Sequence, residues 1–421
     1  MDDSQRSGPL AQYRVLELGS TVAGPFCGRL FADFGAEVIK IEPIEGDIVR
    51  SIGTQYKDKS LYASSIFRNK SLIAVDLRKP EGQDIARRIA ARSDFVIENF
   101  KPGTLEKWGL GYEELRAVNS RVIMVRISGY GQSGPYSSRP GYGITCEAVG
   151  GLRHLTGDPD RPPARVAVPL TDYITGLYAF SGALLALTER SQSGEGQCVD
   201  AALYESAFSL MEQYIGGFQK QGVVPNRMGA STGSAPNNLY KSSDNQWVHV
   251  AANSGAVFTR FMHAIGRADL LADDRFKTAI GRGNNREALD TLINAWMATH
   301  SAQQIEEILQ GAEVPATRIF TMPDIFDDPH YKARGTIIEM PDDDLGHIAA
   351  AIPVPRLTRT PGKVRHSGRR VGQDTLRVLR DIAGLDDNSI GVLQAAGVIG
   401  GEGLNAFQTK AAAGREETHG S

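Results

Sequence analysis

The feature that most constrains this chain is an alternation of short apolar runs and helically spaced segments through its first third. Residues 13–19 form a β-rich run, 25–34 carry apolar side chains at helical spacing, and 36–42 read as a buried strand, making one β-α-β unit. The strand pattern returns at 72–77, 94–99 and 121–128, with helical segments at 80–92 and 112–118 between. Parallel neighbours need crossover connections, and crossovers place helices over the sheet, so this order predicts an α/β fold with an open, mostly parallel sheet covered on both faces. No Gly-x-Gly-x-x-Gly follows the first run, which leaves a nicotinamide dinucleotide site unsupported. Ala23-Gly-Pro stands there instead and suggests a turn whose backbone lies close to something flat or bulky.

Further on, Val168-Pro-Leu-Thr-Asp hands a lone carboxylate, Asp172, to the head of a helix whose apolar positions over 174–187 run almost all the way round, the pattern of a buried helix. Two readings of Asp172 follow from residue type. It caps the helix, as Asp often does, or it is a partly desolvated nucleophile kept ionised by the helix N-terminus. After a break at Ser191-Gln-Ser-Gly-Glu-Gly come a strand at 197–202 and an amphipathic stretch at 203–219. Residues 222–238, rich in Gly, Asn, Pro and Ser, read as a linker or active-site loop. The pattern then restarts, with strands at 247–252 and 314–319 and helices at 256–265, 285–298 and 302–309, so a smaller α/β domain is expected over 239–330. Residues 1–221 make the N-terminal part of the large domain, and 400–421 read as a loose tail.

Composition narrows the function classes. A net charge of −3 gives no electrostatic case for nucleic acid or an anionic membrane surface. No apolar run reaches the roughly 18 residues of a membrane span, and the N-terminus lacks the basic and apolar parts of a signal peptide, so a cytoplasmic protein is expected. Cys27, Cys146 and Cys198 are far apart and have no His at metal-ligand spacing, which points to reduced thiols and to no metal site. No Gly-x-Ser-x-Gly elbow is present.

A series of motifs decides between the readings of Asp172. In order they are Arg14-Val-Leu-Glu-Leu-Gly, Ala23-Gly-Pro, Phe34-Gly-Ala-Glu-Val-Ile-Lys-Ile-Glu, Gly46-Asp-Ile-Val-Arg, Asn69-Lys-Ser-Leu-Ile-Ala-Val-Asp-Leu-Arg, Glu98-Asn-Phe-Lys-Pro-Gly, Gly129-Tyr-Gly-Gln-Ser-Gly-Pro-Tyr, Arg139-Pro-Gly-Tyr and Gly194-Glu-Gly-Gln-Cys-Val-Asp. Each is weak alone, but in this order and spacing the chain resembles the class III CoA-transferases (the formyl-CoA transferase or CaiB/BaiF family) over most of its length. The resemblance implies a Rossmann-like large domain to which residues 331–399, with one helix near 375–382, return, and an interlocked homodimer. It makes Asp172 the nucleophile. A carboxylate suits the reaction, because it can hold an acyl group as an anhydride and then CoA as a thioester with each step near isoenergetic.

Acyl-CoA and a free carboxylic acid are then the substrates, and no permanently bound cofactor is implied. By the same resemblance Thr21 and Val22, Val75, Asp76, Leu77 and Arg78, Asn99, Lys107 and the region of Arg139 surround CoA. Arg78 and Lys79, like Lys101 and Lys107, sit just after strands, although a solvated surface is the default for any such charge. Three positions depart from the family: Pro43 stands where Arg often contacts CoA, with Arg50 as a compensating candidate, and Gly143 and Glu147 replace the usual Asp and Gln. Ala251-Ala-Asn-Ser-Gly corresponds to a Gly-rich loop that covers the nucleophile in some relatives. It is poorer in glycine than that of formyl-CoA transferase, which weakens an oxalate reading, and Gly255 is either a hinge or a plain helix entry. An α-methylacyl-CoA racemase is the rival enzyme, but its histidine base is replaced by Tyr142, and His154 is the nearest substitute. A non-catalytic CoA-binding paralogue is the other rival, and the presence of Asp172 speaks against it. Arg153 and Arg165 flank the Asp172 segment and favour a dicarboxylate acceptor with succinyl-CoA as donor.

Overall fold

The structure is a computed structural model that describes residues 6–404. The described chain divides into two compact units: 6–152, 167–212 and 335–404 lie in the first, and 153–166 with 213–334 form the second.

The first unit is built on a seven-stranded sheet. Its parallel strands are β1 (Arg14–Glu17), β2 (Glu37–Glu42), β3 (Ser71–Val75), β4 (Phe95–Glu98), β5 (Ile123–Ser128) and β6 (Cys198–Ala202), and a short edge strand, Ile399–Gly400, runs antiparallel to β3. Across the parallel strands the order is β3-β2-β1-β4-β5-β6, the doubly wound order in which the direction of winding reverses between β1 and β4. Strands β2 to β5 are buried along their whole length, as expected of a sheet covered on both faces. Helices α1 (Ala23–Asp33), α2 (Pro80–Ala90), α3 (Tyr112–Val118), α4 (Gly143–Val149), α5 (Leu170–Ser193) and α6 (Leu203–Phe208) connect and cover it. The core splits accordingly. Leu16, Ile39, Ile73, Ile85 and Ile89 pack on one face, and Val15, Phe31, Phe95, Val125 and Ala183 on the other.

Helix α5 differs from the expectation at its start and around its surface. It begins at Leu170, and its buried residues are Thr171, Thr175, Gly176, Ala179, Ala183, Ala186 and Arg190, with Phe180, Leu184 and Leu187 half-buried against the core, while Leu177, Tyr178 and Leu185 are exposed. Glycine permits a close crossing with α1, since a Cβ at Gly176 would lie 2.8 Å from the Phe26 ring and 3.1 Å from the Ala23 carbonyl oxygen. By length and composition this helix is also long and apolar enough to cross a membrane, contrary to the reading that no run is. Its contacts with α1, α6 and the sheet make it a layer helix of the domain.

Two expected boundaries move. Residues 153–166 and 213–221 belong to the second unit, and the amphipathic stretch 203–219 breaks at Glu212, where φ is 3°. The tail was expected from 400, yet Gly400 pairs with Ala74 and Leu404 is buried, so order extends to 404; residues 405–421 lie outside the described residues. The second unit contains the antiparallel strands β7 (Asn237–Lys241), β8 (Trp247–Ala251) and β9 (Ala316–Arg318), with α7 (Gly255–Ala264), α8 (Arg286–Met297) and α9 (Ala302–Gly311) packed around Tyr240, Val248, Phe261 and Ile293. Within it the 251–255 segment is tied down. Arg282, 2% exposed, donates to the Asn253 and Ala235 carbonyls at 2.8 and 2.9 Å, and the Ser254 hydroxyl caps α7, so Gly255 is a helix entry.

Candidate active site

In doubly wound sheets ligands sit beyond the carboxyl ends of the strands where the winding reverses. The segments following β1 and β4 meet there. Asn99 accepts from the Ser20 N–H at 2.8 Å and donates to the Ser20 carbonyl at 2.8 Å, joining the two strand ends through one amide. A Cβ at Gly19 would stand 3.4 Å from the Gly24 Cα, so the two glycines let α1 start directly against the turn; Ala23-Gly-Pro is thus the helix's first turn.

Two cavities open on this junction. One, of about 300 Å³, is lined by Ser20, Thr21, Val22, Asn99, Phe100, Lys101, Gly129, Arg139, Tyr142 and Asp172. The other, of about 390 Å³, is lined by Gly19, Ser20, Pro43, Glu45, Val75, Asp76, Leu77, Arg78, Phe100 and Trp108. Ser20 and Phe100 belong to both, so the two form adjacent ends of a cleft.

Asp172 lies within the first turn of α5, and Pro169 occupies the cap position with no side-chain cap bond. Its carboxylate packs directly over Gly143 at the head of α4, where a Cβ would stand 1.9 Å from Oδ2. Burial raises its pKa to about 6, and the only opposing contact is the residue's own backbone N–H. The cap reading therefore fails, and so does the expectation that the helix terminus dominates its ionisation. The pKa still leaves the carboxylate ionised at neutral pH. Beside it, Tyr173 packs edge-on against Phe26 and hydrogen-bonds the Tyr62 hydroxyl at 3.0 Å, and burial drives Tyr62 far above the usual phenol range.

Beneath the β1–α1 turn runs a seam of buried charge. Lys70 pairs with Glu17 at 2.6 Å, Glu17 with Lys40 at 3.5 Å and Lys40 with Asp47 at 3.0 Å, and the side chains of Glu17, Lys40 and Lys70 are wholly buried. Burial lowers Lys70 to about 8. For Lys40 burial acts the same way, but the Asp47 and Glu17 carboxylates outweigh it and the net shift is upward. Burial would raise Asp47, yet the Lys40 ammonium and the Val49 and Thr21 N–H groups hold it below its usual value. Thr21 sits at φ 67°, a left-handed conformation that costs a non-glycine residue about 1–3 kcal/mol.

Of the residues expected around CoA, Thr21, Val22, Asn99 and Arg139 line the Asp172 cavity, and Val75, Asp76, Leu77 and Arg78 line the other. Lys107 lines neither. On its short helix, Thr104–Lys107, the buried position is Leu105, and Lys107 faces solvent while the adjacent Trp108 reaches the cavity. Arg50 does not replace the missing arginine at Pro43. It is bidentate on buried Glu42 at 2.7 Å and donates to the Arg369 carbonyl. Arg153, His154 and Arg165 fall in the second unit, and there His154 bonds the Pro225 carbonyl at 3.0 Å. Phe100, Lys40 and Asp47 lie within the quoted motifs but, like Trp108, were not singled out as site residues. Phe100 and Trp108 follow strand or helix ends without any charge to mark them, and Lys40 is the central charge of a strand that also carries Glu37 and Glu42.

A doubly wound domain with a largely desolvated carboxylate lining a cavity at its switch point defines an α/β protein with a small-molecule site of the kind enzymes use. The comparisons make this specific: residues 10–375 match the family described as CoA-transferase family III, and the chain belongs to that family. It is 44% identical over 402 residues to the succinyl-CoA–D-citramalate CoA-transferase of Chloroflexus aurantiacus, covering 95% of this chain and 100% of that one. It is 36% identical over 405 residues to the succinyl-CoA–L-malate CoA-transferase beta subunit of the same organism, again over 95% and 100%. A CaiB/BaiF family protein from Brucella suis superimposes with a TM-score of 0.80 at 32% identity, over 89% of this chain and 100% of that one. The protein is a class III CoA-transferase with the α/β fold of the CaiB/BaiF proteins.

Proposed function

We propose that the protein moves CoA from succinyl-CoA to a small dicarboxylate, with Asp172 as the covalent nucleophile. The observation that carries this is the Asp172 carboxylate, desolvated over Gly143 in a cavity continuous with one lined by the expected CoA contacts. An Asp172 oxygen attacks the donor thioester carbonyl, forming a mixed anhydride and releasing CoA thiolate. The thiolate attacks the Asp172 acyl carbon and expels succinate, leaving an aspartyl-CoA thioester. The acceptor carboxylate attacks that thioester, and the thiolate freed then takes the acceptor acyl group, restoring the Asp172 carboxylate. The D-citramalate and L-malate enzymes similar to this chain support a dicarboxylate acceptor, and both are named for succinyl-CoA.

A homodimer is part of the proposal. Exposed Leu177, Tyr178 and Leu185 on α5, with Phe208 and Leu210 after it, make an apolar face suited to a second copy. A cytoplasmic setting fits its three unpaired cysteines.

The test is incubation with succinyl-CoA, quenching with hydroxylamine or borohydride, and mapping of the modified peptide by mass spectrometry. An adduct on Asp172 that is absent from Asp172→Ala supports the proposal. Failure to label, with exchange of the α-proton of a branched acyl-CoA in deuterated water, would replace it with the racemase.

A further inference from the structure

Three successive residues of the turn between β1 and α1 are fastened from outside the turn. Lys40 Nζ donates to the Gly19 carbonyl at 2.5 Å, the Asn99 amide takes both backbone polar groups of Ser20, and Asp47 accepts from the Thr21 N–H at 3.3 Å. Asp47 is itself set by its ion pair with Lys40 and by the Val49 N–H at 3.0 Å. Its carboxylate and the Lys40 ammonium are buried, and Glu17 and Lys70 continue the seam behind them. Apolar residues of similar volume would fill such space at no loss of stability, so stability alone does not account for the pair. What the pair does contact is the residue with the least favourable backbone in the cleft. Thr21, branched at Cβ, is held at φ 67°, and with Val22 it forms the cavity wall shared with Asp172.

We infer that Lys40 and Asp47 are positioning residues for acyl transfer: they lock the Thr21 backbone in its left-handed conformation and so fix the wall against which the thioester is presented to Asp172. The inference rests on Asp172 being the nucleophile. Without the Asp47 acceptor, Thr21 relaxes to negative φ, the wall shifts, and the near-attack geometry is lost.

The experiment measures the single-turnover rate of adduct formation on Asp172 from succinyl-CoA, with CoA affinity by calorimetry and the melting temperature alongside. Asp47→Ala, which removes the acceptor, is expected to slow adduct formation about 100-fold, the cost of roughly an ångström of misplacement, with a smaller loss of CoA affinity, within about tenfold, because Asp47 also borders the second cavity. Adding Thr21→Gly to Asp47→Ala is expected to recover at least about tenfold of the adduct rate, because glycine adopts positive φ without strain. A role in stability alone gives no such rescue. Lys40→Met with Asp47→Leu removes both charges together and serves if the single variant does not fold; it is expected to fold and to label slowly. Labelling of that double variant at the wild-type rate, or an absence of rescue by Thr21→Gly, overturns the inference. Wild-type protein that forms no adduct overturns the nucleophile assignment, and this inference falls with it.

Discussion

The two ends of the cleft are built in opposite ways. At the Asp172 end a largely desolvated carboxylate sits on a glycine, and a seam of buried charge underlies the adjoining turn. At the other end Val75, Leu77, Phe100 and Trp108 give a largely apolar wall that also meets the buried carboxylates of Asp47 and Asp76, and the cation is peripheral. Arg78 is 73% exposed and paired with nearby Asp76. Preorganised buried groups govern the transition state, whereas exposed charges contribute modest, salt-sensitive binding. Alterations at the first end should therefore lower kcat, and alterations at the second should raise KM.

The sharpest way to break this contrast is Asp172→Asn, which keeps shape and removes the nucleophile. Transfer should fall by at least about 10⁴-fold in a steady-state assay, with CoA binding retained by calorimetry. Next is Gly143→Ala. The new methyl collides with Oδ2 and forces the carboxylate aside, for a loss of about 100-fold in kcat and about 1–3 kcal/mol in denaturant stability. The third is a pH profile. Attack needs the ionised carboxylate, so the rate of Asp172 labelling should rise with pH through about 6 and stand about tenfold below its plateau one unit lower.

Stability runs in the other direction. A carboxyl group whose folded pKa lies above its unfolded value favours folding below the unfolded value and loses that advantage as pH rises through about 6, so Asp172→Asn should raise the melting temperature at pH 8 but not at pH 3. The smallest effect separates two cations: Arg78→Ala should raise KM for acyl-CoA about threefold at low salt, and Lys107→Ala should leave it unchanged.

Much of this architecture was legible in the sequence, because buried parallel strands and amphipathic crossovers leave strong periodic traces. The helix expected at 112–118 is observed as Tyr112–Val118, and that expected at 80–92 as Pro80–Ala90. Asp172 stood out through its motif context. Its true environment did not, since the start of α5 at Leu170 and the contact with Gly143 depend on tertiary packing. The same holds for Lys40, which reads as the central charge of a strand that also carries Glu37 and Glu42 and becomes intelligible only when Glu17 and Asp47 close around it. Charge near a strand end was a poor guide to Lys107, because side-chain direction on a four-residue helix is set by which residue reaches the core.

The Asn99 tie has a consequence for how this protein ages. One side chain gives a proton to the Ser20 carbonyl and takes one from the Ser20 N–H, and only an amide of that length offers both at once. Slow hydrolysis of this single amide to an acid would change the mass by about one dalton and leave the chain intact. It would also set oxygen against oxygen at the junction of the two strands. An old preparation that looks pure by size and sequence coverage would then have lost the fastening of its cleft, a chemical clock readable at one position.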